Sequence, residues 1–202
     1  MANALDSPVG EGARDEAQPV APGAATVPEA GSPPGDATGL QPLALFLDAP
    51  LAADIAGLPP IQRPARLAEL AESDPDPRRF VELGSALQLI GNTEAAATAY
   101  RAALRRDPGD VAAQAGLAMI EGAGGGGGLA RATAGLARLA RQNPQDQLVS
   151  FNQGIVEVYR ARPARIAEAW IRTLQIDPNT YLGRAAVEGL NQLRQQAGGG
   201  TP

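Results

Sequence analysis

The chain has 202 residues and a formal net charge of −5; it contains no Cys, His or Lys, and all 17 of its cations are Arg. Without Cys there are no disulfides or thiolate metal sites, and without His and Lys the commonest general base and Schiff-base chemistry are gone. The length suits one modest domain with tails, no apolar run approaches the roughly 18 residues of a membrane span, and no basic footprint for nucleic acid is present.

Residues 1–40 are Ala, Pro, Gly and acids, with Arg14 set against Asp6, Glu11, Asp15, Glu16, Glu29 and Asp36. Residues 41–202 are balanced at 16 acids (22 − 6) and 16 arginines (17 − 1), so the tail accounts for the whole net charge. A segment so poor in large apolar side chains cannot offset its ordering entropy, and residues 1–40 are expected to be a disordered linker or tether. The opening lacks a cationic stretch followed by an apolar one. A cytoplasmic location is therefore the expectation, with the cell envelope as the alternative if an N-terminal signal or anchor has been removed.

Residues 41–58 are apolar enough to need a partner, through Leu43, Leu45, Phe46, Leu47, Leu51 and Ile55. Pro50 predicts two short helices here, the second starting near that proline. Two readings stand: an N-terminal cap packed back on the rest of the chain, or a short helical motif offered to another protein. Next, RPARLAELAES begins a helix near Pro64 and ends before Asp74-Pro75, with Leu67, Leu70 and Ala71 on one face. Residues 41–76 read together as short helices and a degenerate leading half-repeat.

Residues 77–196 carry a repeat. Asp107-Pro108, Asn143-Pro144 and Asp177-Pro178 punctuate the chain at spacings of 36 and 34 residues. A helical-hairpin period near 34 indicates a stacked α-repeat. In the first repeat, about 77–110, two amphipathic helices meet at a Gly91-Asn92 turn. Phe80, Leu83, Gly84 and Leu87 lie on one side of the first, and Ala96, Tyr100, Ala103 and Leu104 on one side of the second. Gly84 and Ala96 are small where the helices cross, and Phe80 and Tyr100 fill the space beside them. The second repeat, about 111–146, contains the run GAGGGGG at 122–128, which lengthens its inter-helix turn. A phosphate-cradling loop would need a following Lys, and there is none. In the third, about 147–180, Gly154 and Trp170 hold the places of Gly84 and Tyr100. A terminal helix follows at about 181–196, and residues 197–202 read as a frayed tail.

The spacing Phe-x₂-Leu-Gly-x₂-Leu, then Ala-x₃-Tyr, then Pro resembles the tetratricopeptide repeat (TPR) family, and GNTEAAATAYRAALRRDPGD matches that family's turn and second helix closely. The resemblance spans about 77–180. It implies an all-α fold: a right-handed α-α superhelix of about three TPR-like hairpins with a C-terminal capping helix, behind a disordered N-terminal tail. It also implies a concave groove lined by first helices that takes a peptide segment of another protein. Carried onto this chain, the groove positions are Arg78, Val81, Ser85, Gln88 and Leu89, then Ala112, Ala115 and Met119, then Leu148, Phe151, Asn152, Ile155, Val158 and Tyr159. Asn152 matches a position used by family members that clamp a C-terminal carboxylate, but their lysines are missing here and no such clamp is expected.

The stripe Leu148, Phe151, Ile155, Val158 is either core or groove, depending on how the first helix of the third repeat is rotated, and segment 43–55 is a candidate to cover it from within the chain. Asp74, Asp76, Asp107 and Asp110 fall at turns, where acids cap the next helix. Glu168 and Arg172, at i and i+4, are expected to pair on the surface. No catalytic constellation, metal site or cofactor site is evident. The leading expectation is a non-catalytic adaptor or assembly factor whose partner is a protein or peptide. The alternatives are an envelope-attached assembly factor of the pilus or secretion type, and an accessory subunit of an enzyme complex that uses segment 43–55.

Overall fold

A computed structural model describes residues 42–123 and 127–198. The expected disorder of residues 1–40 lies outside them, as does 199–202 of the expected C-terminal tail. Among the described residues the fold is all-α: α1 (Ala53–Ala56), α2 (Arg63–Ser73), α3 (Pro77–Leu89), α4 (Thr93–Arg106), α5 (Val111–Ala123), α6 (Gly128–Gln142), α7 (Gln147–Tyr159), α8 (Pro163–Ile176) and α9 (Tyr181–Gly198).

Local chemistry sets the boundaries. The Asp76 carboxylate accepts from the Arg78 N–H at the start of α3, that of Asp110 from the Ala113 N–H in α5, and that of Asp146 from the Val149 N–H in α7. The Asn92 side-chain oxygen does the same for Ala95 in α4. Each cap satisfies a donor that the first helical turn leaves open. At the other ends, Asp107 and Asp177 leave α4 and α8 in extended conformation, and each is followed by a proline that cannot continue a helix. Pro77 and Pro163 sit in the first turns of α3 and α8, where a missing N–H costs nothing. The glycine run is shared out: Gly122 ends within α5 and Gly128 opens α6. The surface pair at Glu168 differs from expectation. Its carboxylate meets Arg165 at 2.8 Å, one turn earlier, rather than Arg172.

Helices α3 and α4, α5 and α6, and α7 and α8 pack as consecutive pairs. In addition α3 touches α5, α5 touches α7 and α7 touches α9, whereas α4, α6 and α8 each touch only the helices before and after them in the chain. The first helices therefore form a continuous row. Large rings lock the pairs. A β-carbon placed on Gly84 would lie 2.6 Å from the Tyr100 ring, and one on Gly116 would overlap the same ring. Trp170 lies in the same way against Gly154 and Gly189. Tyr100 is 0% exposed and Trp170 1%, so each ring fills a slot between two first helices that only glycine leaves open.

Among the described residues, 42–58 do not form two helices. Residues 42–50 carry no helix, and only Ala53–Ala56 makes a short turn. Pro42 and Pro50 bracket too few residues for a stable helix, and each proline disfavours helical conformation in the residue before it. The stretch then serves in two places. Leu51 and Ile55 pack with Leu67, Leu70, Leu83 and Ala86, joining α1 and α2 to the side of α3. Leu43 and Leu45 instead enter the main core, with residues from α3, α5, α7 and α9.

Candidate functional site: a face that holds an extended segment

The row of first helices is crossed by residues 43–48. Its floor is apolar, built from Val81, Met119, Leu148, Phe151, Ile155 and Val158, all buried in one cluster with Leu43 and Leu45. Two uncharged amides rise from it. Gln88 of α3 and Asn152 of α7 are both 0% exposed. An amide buried without partners costs about 1–3 kcal/mol, so each must find donors and acceptors. Both find them in the crossing segment.

The Leu45 N–H donates to Gln88 Oε1 at 3.2 Å, and Gln88 Nε2 donates to the Leu43 carbonyl at 3.5 Å. Gln88 Oε1 also accepts from the Tyr100 hydroxyl at 2.5 Å, which fixes the orientation of the amide. The Leu45 carbonyl accepts from Ser85 Oγ at 2.7 Å. The Phe46 N–H donates to Asn152 Oδ1 and the Phe46 carbonyl accepts from Asn152 Nδ2, both at 2.8 Å. Asn152 Nδ2 makes a second bond to the Leu148 carbonyl of its own helix, also at 2.8 Å. Three side chains thus read the main chain of residues 43–46, and all of these bonds to the segment are independent of its side chains.

Side chains supply the rest. The Phe46 ring lies 4.7 Å from Phe151 and 5.8 Å from Tyr181, and Phe151 lies 5.7 Å from Trp170. The four rings form one column from α9 to α8, with Phe46 inserted in it. Leu43 reaches toward Gly122 of α5, where a β-carbon would come within 2.8 Å of its Cδ2. At the far end the Asp48 carboxylate pairs with Arg78 at 3.2 Å, and Arg78 also holds Glu82 at 3.2 Å.

Of the positions singled out in the sequence, Arg78, Ser85, Gln88, Phe151 and Asn152 touch the segment directly. Val81, Met119, Leu148, Ile155, Val158 and Tyr159 are buried in the cluster beneath it, with Ala115 at 0% exposure beside them. Ala112 and Leu89 are half-buried and make no hydrogen bond to the segment. The Leu148, Phe151, Ile155, Val158 stripe is buried, in one cluster with Leu43 and Leu45 and with Phe46 packed against it. Asn152 engages an internal main chain.

Burial pushes the Tyr159 hydroxyl up to about 12, and raises Tyr100 well above its ordinary value. Tyr181 is raised by burial and, secondarily, by Glu188. All three phenols therefore stay neutral at physiological pH and contribute as hydrogen-bonding or stacking surfaces.

Tyr181 and the Tyr100 hydroxyl were not among the sequence candidates. Tyr181 follows Pro178 by three residues, as Val111 follows Pro108. That parallel marks α9 as one more first helix on the row. Among the described residues no group of three or more acids is placed to hold a metal ion. Comparison with family models, curated proteins and solved structures gives no match.

Proposed function

We propose that the chain is a non-catalytic interaction adaptor whose helical pairs stack as a right-handed, TPR-like superhelix, with the α3, α5, α7 and α9 row as the concave groove that holds an extended segment of a partner protein. The observation that carries this reading is the grip of Gln88, Ser85 and Asn152 on the main chain of residues 43–46. Side-chain amides spaced along a helical face, each bonding both an N–H and a C=O, suit recognition of an extended peptide, because they give affinity from the backbone and leave specificity to the pockets between them.

The test is site-specific photocrosslinking in the native cell. A photoreactive residue at Ser85, on the row, is expected to trap a discrete partner, and one at Glu72, exposed on α2, is not. Equal yield at the two sites, or trapping only at Glu72, would overturn the reading.

A further inference from the structure

We infer that residues 43–48 are a built-in stand-in for the partner, and that the groove selects an extended peptide with the pattern Leu-x-Leu-Phe-x-Asp. This rests on the adaptor reading and adds to it the chemistry of the ligand and a competition within the chain.

The segment has the features of a ligand rather than of a structural strand. Apart from the Asp48–Arg78 pair, its polar contacts with the row run through side chains of the receptor helices to its own main chain, so any extended peptide can make them. Its side chains supply the selection. The first Leu position faces Gly122, where a larger floor would collide. The second Leu, at 2% exposure, is buried in the cluster that includes Val81 and Met119. The aromatic completes the column of Tyr181, Phe151 and Trp170. The acid two residues later meets Arg78, which also holds Glu82. A basic residue at that place would face Arg78, so the pattern excludes as well as selects.

The segment is held at its C-terminal end by α1 and α2, whose contacts with α3 form a separate cluster of Ile55, Leu67 and Ala86. Residues 43–48 can therefore leave the row while that cluster stays packed. In the closed form Gln88 and Asn152 are satisfied and the apolar floor is covered. In the open form the same groups face water, ready for a second main chain. A partner must compete with a tethered copy of its own motif, so its apparent affinity falls by the fraction of open form.

The experiment uses a fluorescein-labelled octapeptide with the sequence of residues 42–49, Pro-Leu-Ala-Leu-Phe-Leu-Asp-Ala, and the full chain in wild-type and released form. The released form carries Leu45→Asp and Phe46→Asp, which drive the internal segment off the apolar floor. Fluorescence anisotropy is expected to show the peptide binding the released form at least about tenfold more tightly than wild type. A scrambled octapeptide is expected to bind neither. In the released form, Arg78→Ala is expected to cost roughly two- to fivefold in affinity and to abolish any preference for Asp over Asn at the acidic place.

Equal affinity of the two forms would overturn the competition, and equal binding of the scrambled peptide would overturn the pattern. A released form that keeps its helical circular dichroism and ignores the octapeptide would show that residues 43–48 are fixed core, and would overturn the inference. Crosslinking from Ser85 would then still decide the adaptor reading on its own. If the released form loses its helices, hydrogen exchange of the wild-type chain answers instead. The Leu45 and Phe46 amides are expected to exchange at least about tenfold faster than those of Ile155 and Val156. Exchange of all four in a single step would overturn the inference.

Discussion

Asn152 forms a closed pair of hydrogen bonds with the backbone of Phe46, accepting from its N–H and donating to its carbonyl at 2.8 Å each, across 106 residues of sequence. The geometry is that of one rung of a sheet, with a side-chain amide in place of the second strand. Asn152 is 0% exposed, so its own amide has no solvent to replace either bond. Asn152→Ala would leave the Phe46 N–H and carbonyl without partners and is expected to cost about 1–3 kcal/mol. Asn152→Asp keeps the acceptor but loses the donor and brings a charge into the same site, so it is expected to be at least as damaging. Urea unfolding of both variants checks this, and a change under about 0.5 kcal/mol for either would show that the pair contributes little.

A second prediction concerns the ring slots. Alanine in a helix interior normally gains about 1 kcal/mol over glycine. At Gly84 the sign is expected to reverse, because the new methyl would lie 2.6 Å from a Tyr100 ring that is held on its other side by Gly116. Neither face of the ring can give way. Gly84→Ala is expected to destabilise by about 1–3 kcal/mol. The paired change Gly84→Ala with Tyr100→Leu is expected to recover part of that loss, which thermal unfolding of the four members of the cycle would measure. Additive losses would show that the contact is not the cause.

The two slots also show what was legible in the chain. The matched spacing of Gly84 with Tyr100 and of Gly154 with Trp170 could be read because packing of this kind restricts residue size at fixed intervals. The helix ends could be read for the same reason, since Asp76, Asn92, Asp110 and the prolines act on their immediate neighbours. For the segment at 43–48, packing back on the chain is one of two readings, but its conformation could not be read. Leu, Phe and Ala are compatible with a short amphipathic helix and with an extended strap, and the choice is made by Gln88 and Asn152, dozens to a hundred residues away. The same distance hid the status of Phe151. Periodicity placed it on an apolar stripe, but whether that stripe is floor or interior depends on what lies over it, and Phe46 lies over it. Tyr181 went unnoticed because its role depends on the same insertion.

The tyrosines predict an alkaline limit. Burial raises Tyr159 to about 12, and raises Tyr100 and Tyr181 in the same direction. A phenol raised in the folded state binds its proton more tightly there than in the unfolded chain. Its contribution is therefore complete below pH about 10, the ordinary phenol value, and is lost as pH rises toward about 12. Because the chain contains no His or Cys, stability is expected to be nearly flat from about pH 6 to 9 and to fall above 10. Absorbance at the tyrosinate band, followed together with circular dichroism, is expected to show phenol ionisation coinciding with unfolding. Tyrosinate forming at Tyr100 or Tyr159 in a fully helical protein near pH 10 would contradict the burial of those two rings.

The turn between α7 and α8 offers a stabilising change. In the first repeat Gly91 adopts φ +79°, its N–H donates to the Gln88 carbonyl, and the next N–H donates to the Leu87 carbonyl. Ala161 repeats this arrangement at φ +52°, with bonds from its own N–H to Val158 and from Arg162 to Glu157. The helix end is the same, but here a β-carbon occupies the left-handed conformation, which costs an L-residue about 1–2 kcal/mol and glycine almost nothing. Glycine also loses more freedom on folding, which offsets about 0.4–1 kcal/mol of that relief. Ala161→Gly is therefore expected to raise stability by up to about 1 kcal/mol, seen as a higher urea midpoint with an unchanged slope. Gly91→Ala is expected to lower it by a similar amount. A midpoint that falls on Ala161→Gly would mean that this turn is held by its flanking helices strongly enough to make the alanine conformation costless.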